Sequence, residues 1–300
     1  MSILLLLAGY LAAVGWLAPR RLAGSAWSVR APRSAAATWA VLALSWAVAA
    51  VMTVHVLALP GHLRARPGRW LAPTATGSPL EGAAGHHHAL SLGALALAAA
   101  ACVVGAGLLR AARARARHRE MLDVVGRRDR ARGWWVVEDE RAAVWCLPGD
   151  GGRVVLTRGA LERLDAEHRS AVVAHERAHL RGRHHLAVAA AKALGDALPW
   201  LPVARLMAHQ VPVLVEMAAD DAALRHCTPR VLAEALCVVA AGGRPGGTLA
   251  AGAHAAVQRV RRLLQPGGRL PPALALPVRL GWWAALVALP VAPVLVACGP

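Results

Sequence analysis

The sequence predicts a mainly α polytopic membrane protein with about four transmembrane helices and an α+β domain inserted between helices three and four. Three observations predict it. Hydrophobic residues make up 57% of the 300-residue chain, with no Phe and a single Tyr, so Ala, Leu and Val supply most of the apolar mass. That mass gathers into runs of bilayer length. Arginines crowd directly behind several of these runs, as expected of flanks kept on the cytoplasmic side.

The first run, residues 2–17, stands where a signal peptide would. It lacks a positive leading region, however, and Arg20, Arg21, Arg30 and Arg33 follow it with no acid between them. It therefore reads as a span with its amino terminus outside. The second run is 35–59, with His55 as an interfacial residue. After a loop rich in Pro and Gly (60–87) comes the third, 89–109, closed by Arg110, Arg113, Arg115, Arg117 and Arg119. The last run lies within 277–300, with Trp282 and Trp283 at one end as an interfacial belt and Pro290 and Pro293 as kinks. The chain thus divides into three helices over 1–109, a cytoplasmic domain over 110–276 and a fourth helix over 277–300. The expected location is the cell membrane, with the bilayer itself as a partner.

The net charge of +17 would suggest nucleic-acid binding in a soluble protein. Here the charge is almost all Arg and is densest beside hydrophobic runs, so no direct nucleic-acid contact is expected. The five cysteines are odd in number, widely spaced and without a C-x-x-C pair, which argues against a disulfide framework or a Cys metal site. His86, His87 and His88 lie in a Gly-rich loop and are read as incidental.

Within the insert, residues 142–147 and 153–157 flank Pro148-Gly149-Asp150-Gly151-Gly152 and read as a β-hairpin. Asp165 then caps a helix that begins near Ala166, with Glu167 in its first turn. This helix carries His175-Glu176-Arg177-Ala178-His179. Residues four apart share one helix face, so His175 and His179 can offer two imidazoles to one ion. Glu176 can reach a water there without ligating the metal. HExxH is the recurring zinc-peptidase solution to that geometry, and one Zn²⁺ is the expected cofactor.

Two residues compete as third ligand. His185 completes a literal HExxHxxGxxH with Gly182. Glu216, in Glu216-Met217-Ala218-Ala219-Asp220 on a second predicted helix, is favoured, because Asp220 one turn on can orient a ligand histidine. Glu216 would make the domain gluzincin-type. The stretch 186–203 is apolar but broken by Lys192, Asp196, Pro199 and Pro202, and it reads as an interfacial or embedded hairpin.

HERAH, the hairpin before it, EMAAD some 40 residues on, and three spans before with one after resemble the antirepressor-type membrane metallopeptidases of family 56. These are the protease parts of penicillin-sensing transducers. The related Ste24-like and heat-shock peptidases of family 48 share the same site logic. The resemblance implies regulated cleavage of a protein substrate such as a cytoplasmic transcriptional repressor. The alternatives are a broad quality-control protease and a non-catalytic scaffold that kept the motif.

The expected chemistry has His175, His179 and Glu216 on the ion and Glu176 as general base. The strand 153–157 is the expected edge for an extended substrate. His254 and Arg259 are the candidates for an oxyanion stabiliser.

Overall fold

A computed structural model describes residues 2–58, 79–242 and 249–265, together with 280, 281, 283 and 284. The fourth expected span falls outside the described residues except at those last four positions.

The chain opens with helix α1 (Ser2–Ala12), which continues through a π-helical stretch at Ala13–Leu17 into α2 (Ala18–Ala23). The π stretch is where Gly15 meets Trp46; a Cβ on Gly15 would lie 2.7 Å from the indole Nε1. A short α3 (Ala26–Arg30), capped by Ser25, leads into α4 (Pro32–Ala58). Pro32 starts α4 with no loss, since the first N–H groups of a helix have no partner. Among the described residues, Pro32–Val54 is the one helical stretch both long and apolar enough to cross a membrane.

Helix α5 (Pro79–Val125) contains the third expected span and the arginines behind it in one piece. It therefore runs past the expected boundary at 110 and delivers the chain to the sheet.

Four strands follow: β1 (Gly126–Asp129), β2 (Trp134–Val137), β3 (Val144–Leu147) and β4 (Arg153–Thr157), in the order β1-β2-β4-β3. The expected hairpin is present as β3–β4, with Val144 opposite Leu156. Its turn holds Gly149, Asp150, Gly151 and Gly152 all at positive φ, a run that only Gly and a short Asp tolerate. Arg119 of α5 donates to the Pro148 carbonyl at 2.7 Å and fixes the turn from below.

One expectation is overturned. Strand β4 is not an edge, because β2 pairs with it in parallel on its other side. The free edge beside the helical layer belongs to β3. The β1–β2 hairpin that covers β4 carries Arg127 and Arg128 in its first strand, a charged segment without the alternation that marks a strand.

Helix α6 (Arg158–Arg163) is capped by Thr157, and α7 (Ala166–Arg181) by Asp165, whose carboxylate accepts from the His168 N–H at 2.9 Å. Then come α8 (His184–Ala197), α9 (Pro202–Ala223), α10 (Pro229–Ala241) and α11 (Leu249–Leu264).

Val144, Val154, Leu156, Val172, Val173 and Ala235 form the core between sheet, α7 and α10. A separate core joins α8 and α9 to the N-terminal helices through Trp39, Leu42, Leu201, Val203 and Val211. The expected hairpin around 186–215 is thus the α8–α9 pair, packed on α4. Gly195 lets the two helices close, since a Cβ there would lie 2.6 Å from that of Ala208.

Between α7 and α9 the contact is made by Ala178, Ala219 and Ala222, each no more than 3% exposed. At this contact the side chains between the two helices are methyl groups. Ala219→Leu should therefore cost about 1–3 kcal/mol through overpacking, read as a lowered melting temperature. Unchanged melting would mean that the helices have slack at this contact.

Candidate metal centre

The close approach of α7 and α9 brings three side chains to one point. His175 and His179, one turn apart on α7, direct Nε2 atoms that lie 3.0 Å from each other, with their rings edge to face. From α9, Glu216 places Oε2 3.5 Å from His175 Nε2 and Oε1 3.6 Å from His179 Nε2. All three offer a ligand atom within 4.8 Å of the others. A tetrahedral zinc site with bonds of about 2.0–2.1 Å separates its ligand atoms by roughly 3.3–3.4 Å. The donor set and its spacing fit that ion.

Exposure tells which side is open. His175 is 5% exposed at its side chain, whereas His179 is 14% and Glu216 26% exposed. Water and substrate can reach the centre from the side of His179 and Glu216.

Behind the ligands lies a buried charge cluster. Asp220, 1% exposed, has Oδ1 3.0 Å from His175 Nδ1, off the line of a strong hydrogen bond, so the contact is chiefly electrostatic. Arg259, reaching over from α11, grips Asp220 with two bonds, Nε to Oδ2 at 2.8 Å and Nη2 to Oδ1 at 2.7 Å. Its Nη1 lies 2.9 Å from Glu216 Oε2. One turn along α11, Arg262 makes the same fork to Asp221 and also donates to the Val29 carbonyl. Two adjacent acids on α9 are thus matched by two arginines on one face of α11.

These contacts set the charges. Burial opposes charge on Asp220, but Arg259 outweighs it and holds the carboxyl at about 2. Burial likewise opposes charge on Glu216, and His175 and Arg259 overcome it and hold the group well below the carboxylate range. Burial works against a proton on His175, yet Asp220 and Glu216 prevail and raise its pKa to about 9. His179 has no carboxylate behind it; burial lowers it to about 4, with Glu216 offsetting part of the effect. Arg259 is raised despite burial, chiefly by Asp220.

The expected residues are therefore placed as follows. His175, His179 and Glu216 converge, Asp220 backs His175, and Glu176 lies beside the centre with the Cys146 thiol of β3 as a hydrogen-bond partner. Burial and the neighbouring Glu176 charge push that thiol up. His185 is outside the converging group and feels the charges of Arg115 and Arg183. Arg259 does reach the site, but its guanidinium is engaged by Asp220 and Glu216 and is not presented to a substrate. The side chain of His254 lies outside the described residues.

Sequence reasoning missed the Cys146–Glu176 contact and a bond between His184 and His179. It also missed the Arg pair on α11, whose one available signal was the spacing of Arg259 and Arg262 against the Asp220-Asp221 doublet.

Residues 108–213, roughly a third of the chain, match the family model described as Peptidase family M48. The match takes in His175, Glu176 and His179 and ends three residues before Glu216. It supports a metallopeptidase of that family, a hydrolase acting on peptide bonds. No curated protein and no solved structure matches the chain.

Removing Arg259 would leave the buried Asp220 and the partly buried Glu216 without their guanidinium partner. Arg259→Ala should lower stability by about 3–5 kcal/mol, the usual result of breaking one side of a buried ion pair. By the same thermal measurement Arg158→Ala, at an exposed pair with Glu162, should change it by under about 1 kcal/mol. Equal effects would contradict the buried-cluster description.

Proposed function

We propose that the chain is a membrane-bound zinc endopeptidase whose catalytic domain faces the cytoplasm and cleaves a protein partner at a defined site. The convergence of His175, His179 and Glu216 carries this reading. A zinc ion on these three would supply Lewis acidity to water and to the scissile carbonyl.

The protein's own groups do the rest. Glu176 accepts the proton of the attacking water as the new C–O bond forms, and passes it to the departing amine as the C–N bond breaks. Arg259 and Asp220 hold Glu216 and His175 in place while this proceeds. The free edge of β3, next to α7, offers backbone groups to an extended substrate strand.

Membrane attachment is supported by the surface of the N-terminal half. Leu5, Leu6, Leu17, Leu44, Leu57, Leu95 and Leu109 are all more than half exposed. Only 33% of the most apolar window in α4 is buried within the protein, which is unlike the core helix of a soluble domain. The first turn of α4 also lies near the site, since the charge of Arg33 is felt at His184. These features support a reading in which the catalytic centre lies at the membrane surface.

A repressor-like cytoplasmic protein under regulated cleavage is the substrate that the family 56 resemblance implies. The family 48 match favours a second reading, a quality-control protease of broad specificity. Cutting of one partner at one bond supports the first; degradation of several misfolded membrane proteins supports the second.

The function is tested with full-length protein in detergent. Wild type should hold one zinc, and Glu216→Ala should lose it while His185→Ala keeps it. Glu176→Gln should keep zinc and lose peptidase activity by about 10²–10⁴-fold. Loss of zinc in His185→Ala alone would replace the proposed ligand set with the HExxHxxGxxH one.

A further inference from the structure

The link between α7 and α8 is two residues long and unusual in both. Arg183 sits in the left-handed region, at φ 48° and ψ 36°, a costly conformation for a residue with a Cβ. Gly182 has an ordinary backbone but no room for a side chain: a Cβ there would fall 2.4 Å from Nε2 and 2.6 Å from Cδ2 of His184. Strain at one position and an obligatory absence at the other have one common result. The His184 ring, 9% exposed, turns back over His179.

The two rings stand at 88° with centroids 4.9 Å apart, and Nδ1 of His184 is 3.0 Å from Nδ1 of His179. One of these nitrogens donates and the other accepts. The direction follows from the opposite side of the His179 ring. Its Nε2 faces His175 and Glu216 and must present a lone pair there to serve as a ligand, so the ring proton belongs on Nδ1. His184 Nδ1 is then the acceptor.

We propose that His184 is a positioning residue for the metal centre, whose Nδ1 accepts the His179 Nδ1–H and so fixes the tautomer and ring angle that aim His179 Nε2 at the ion. This rests on the zinc reading above. His179 is thus supported by an uncharged hydrogen bond, where His175 has the chiefly electrostatic support of Asp220. This role of His184 also gives Gly182 a purpose unrelated to a third histidine ligand: it makes room for His184, not for His185 to reach the metal.

The test is competition for zinc between a chelator and the purified full-length protein, for wild type, His184→Ala, His184→Asn and Gly182→Ala. The Asn side-chain oxygen sits where the His Nδ1 was and can accept the same proton. His184→Ala should lower zinc affinity by about 10–100-fold, the usual cost of losing such a partner, whereas His184→Asn should stay within about threefold of wild type. Gly182→Ala, which displaces the His184 ring, should follow His184→Ala in direction. Melting of the metal-free His184→Ala and His184→Asn proteins is measured alongside, and the two should agree, so that a difference in their zinc affinity does not come from folding.

Wild-type affinity in His184→Ala overturns the proposal and leaves the zinc reading standing. So does an affinity in His184→Asn as low as in His184→Ala, because the acceptor would then be irrelevant. Absence of zinc from wild type overturns the zinc reading, and this proposal with it.

Discussion

A carboxylate pair, one member buried and the other partly so, governs this structure. Asp220 and Glu216 stand one turn apart on α9, the first buried and the second 26% exposed. Neither charge could be carried there unless opposite charge were brought to it. Arg259 supplies that charge from α11 and the imidazole of His175 shares in it from α7. The three helices are thereby tied together at the point where their side chains must act. The Ala178, Ala219 and Ala222 contact sets the distance between α7 and α9, and the Asp220–Arg259 fork sets the orientation. Packing and electrostatics thus specify the same arrangement, and the ligand spacing is a consequence of both.

The local parts of this arrangement are legible in the sequence. HERAH places two histidines on one helix face, Asp165 marks where that helix begins, and Pro148 to Gly152 marks the hairpin turn. Each depends on residues within a few positions of one another. Glu216 was legible because Asp220 follows it by one turn, although His185 offered a competing pattern. The glycine of that pattern, Gly182, is where the His184 ring comes close.

What escaped is long-range or masked by composition. With 34 basic residues in the chain, the spacing of Arg259 and Arg262 is a faint signal by which to tell the two arginines buried among the described residues from solvated ones. Arg259 meets Asp220 across 39 positions, and Arg262 meets Asp221 across 41. Strand order escaped for a similar reason: β2 joins β4 in parallel across the intervening β3, and no turn announces such a pairing. Cys146 was one of five scattered cysteines without a motif, and only the sheet register puts it on the side of β3 that faces α7.

X-ray absorption at the zinc edge of the metal-loaded, full-length protein tests the central claim most directly, because it counts imidazole ligands without any substitution. The account predicts four-coordinate zinc with two imidazoles and oxygen in the remaining positions, at about 2.0–2.2 Å. A third imidazole, or any sulfur at about 2.3 Å, would contradict the His175, His179 and Glu216 centre.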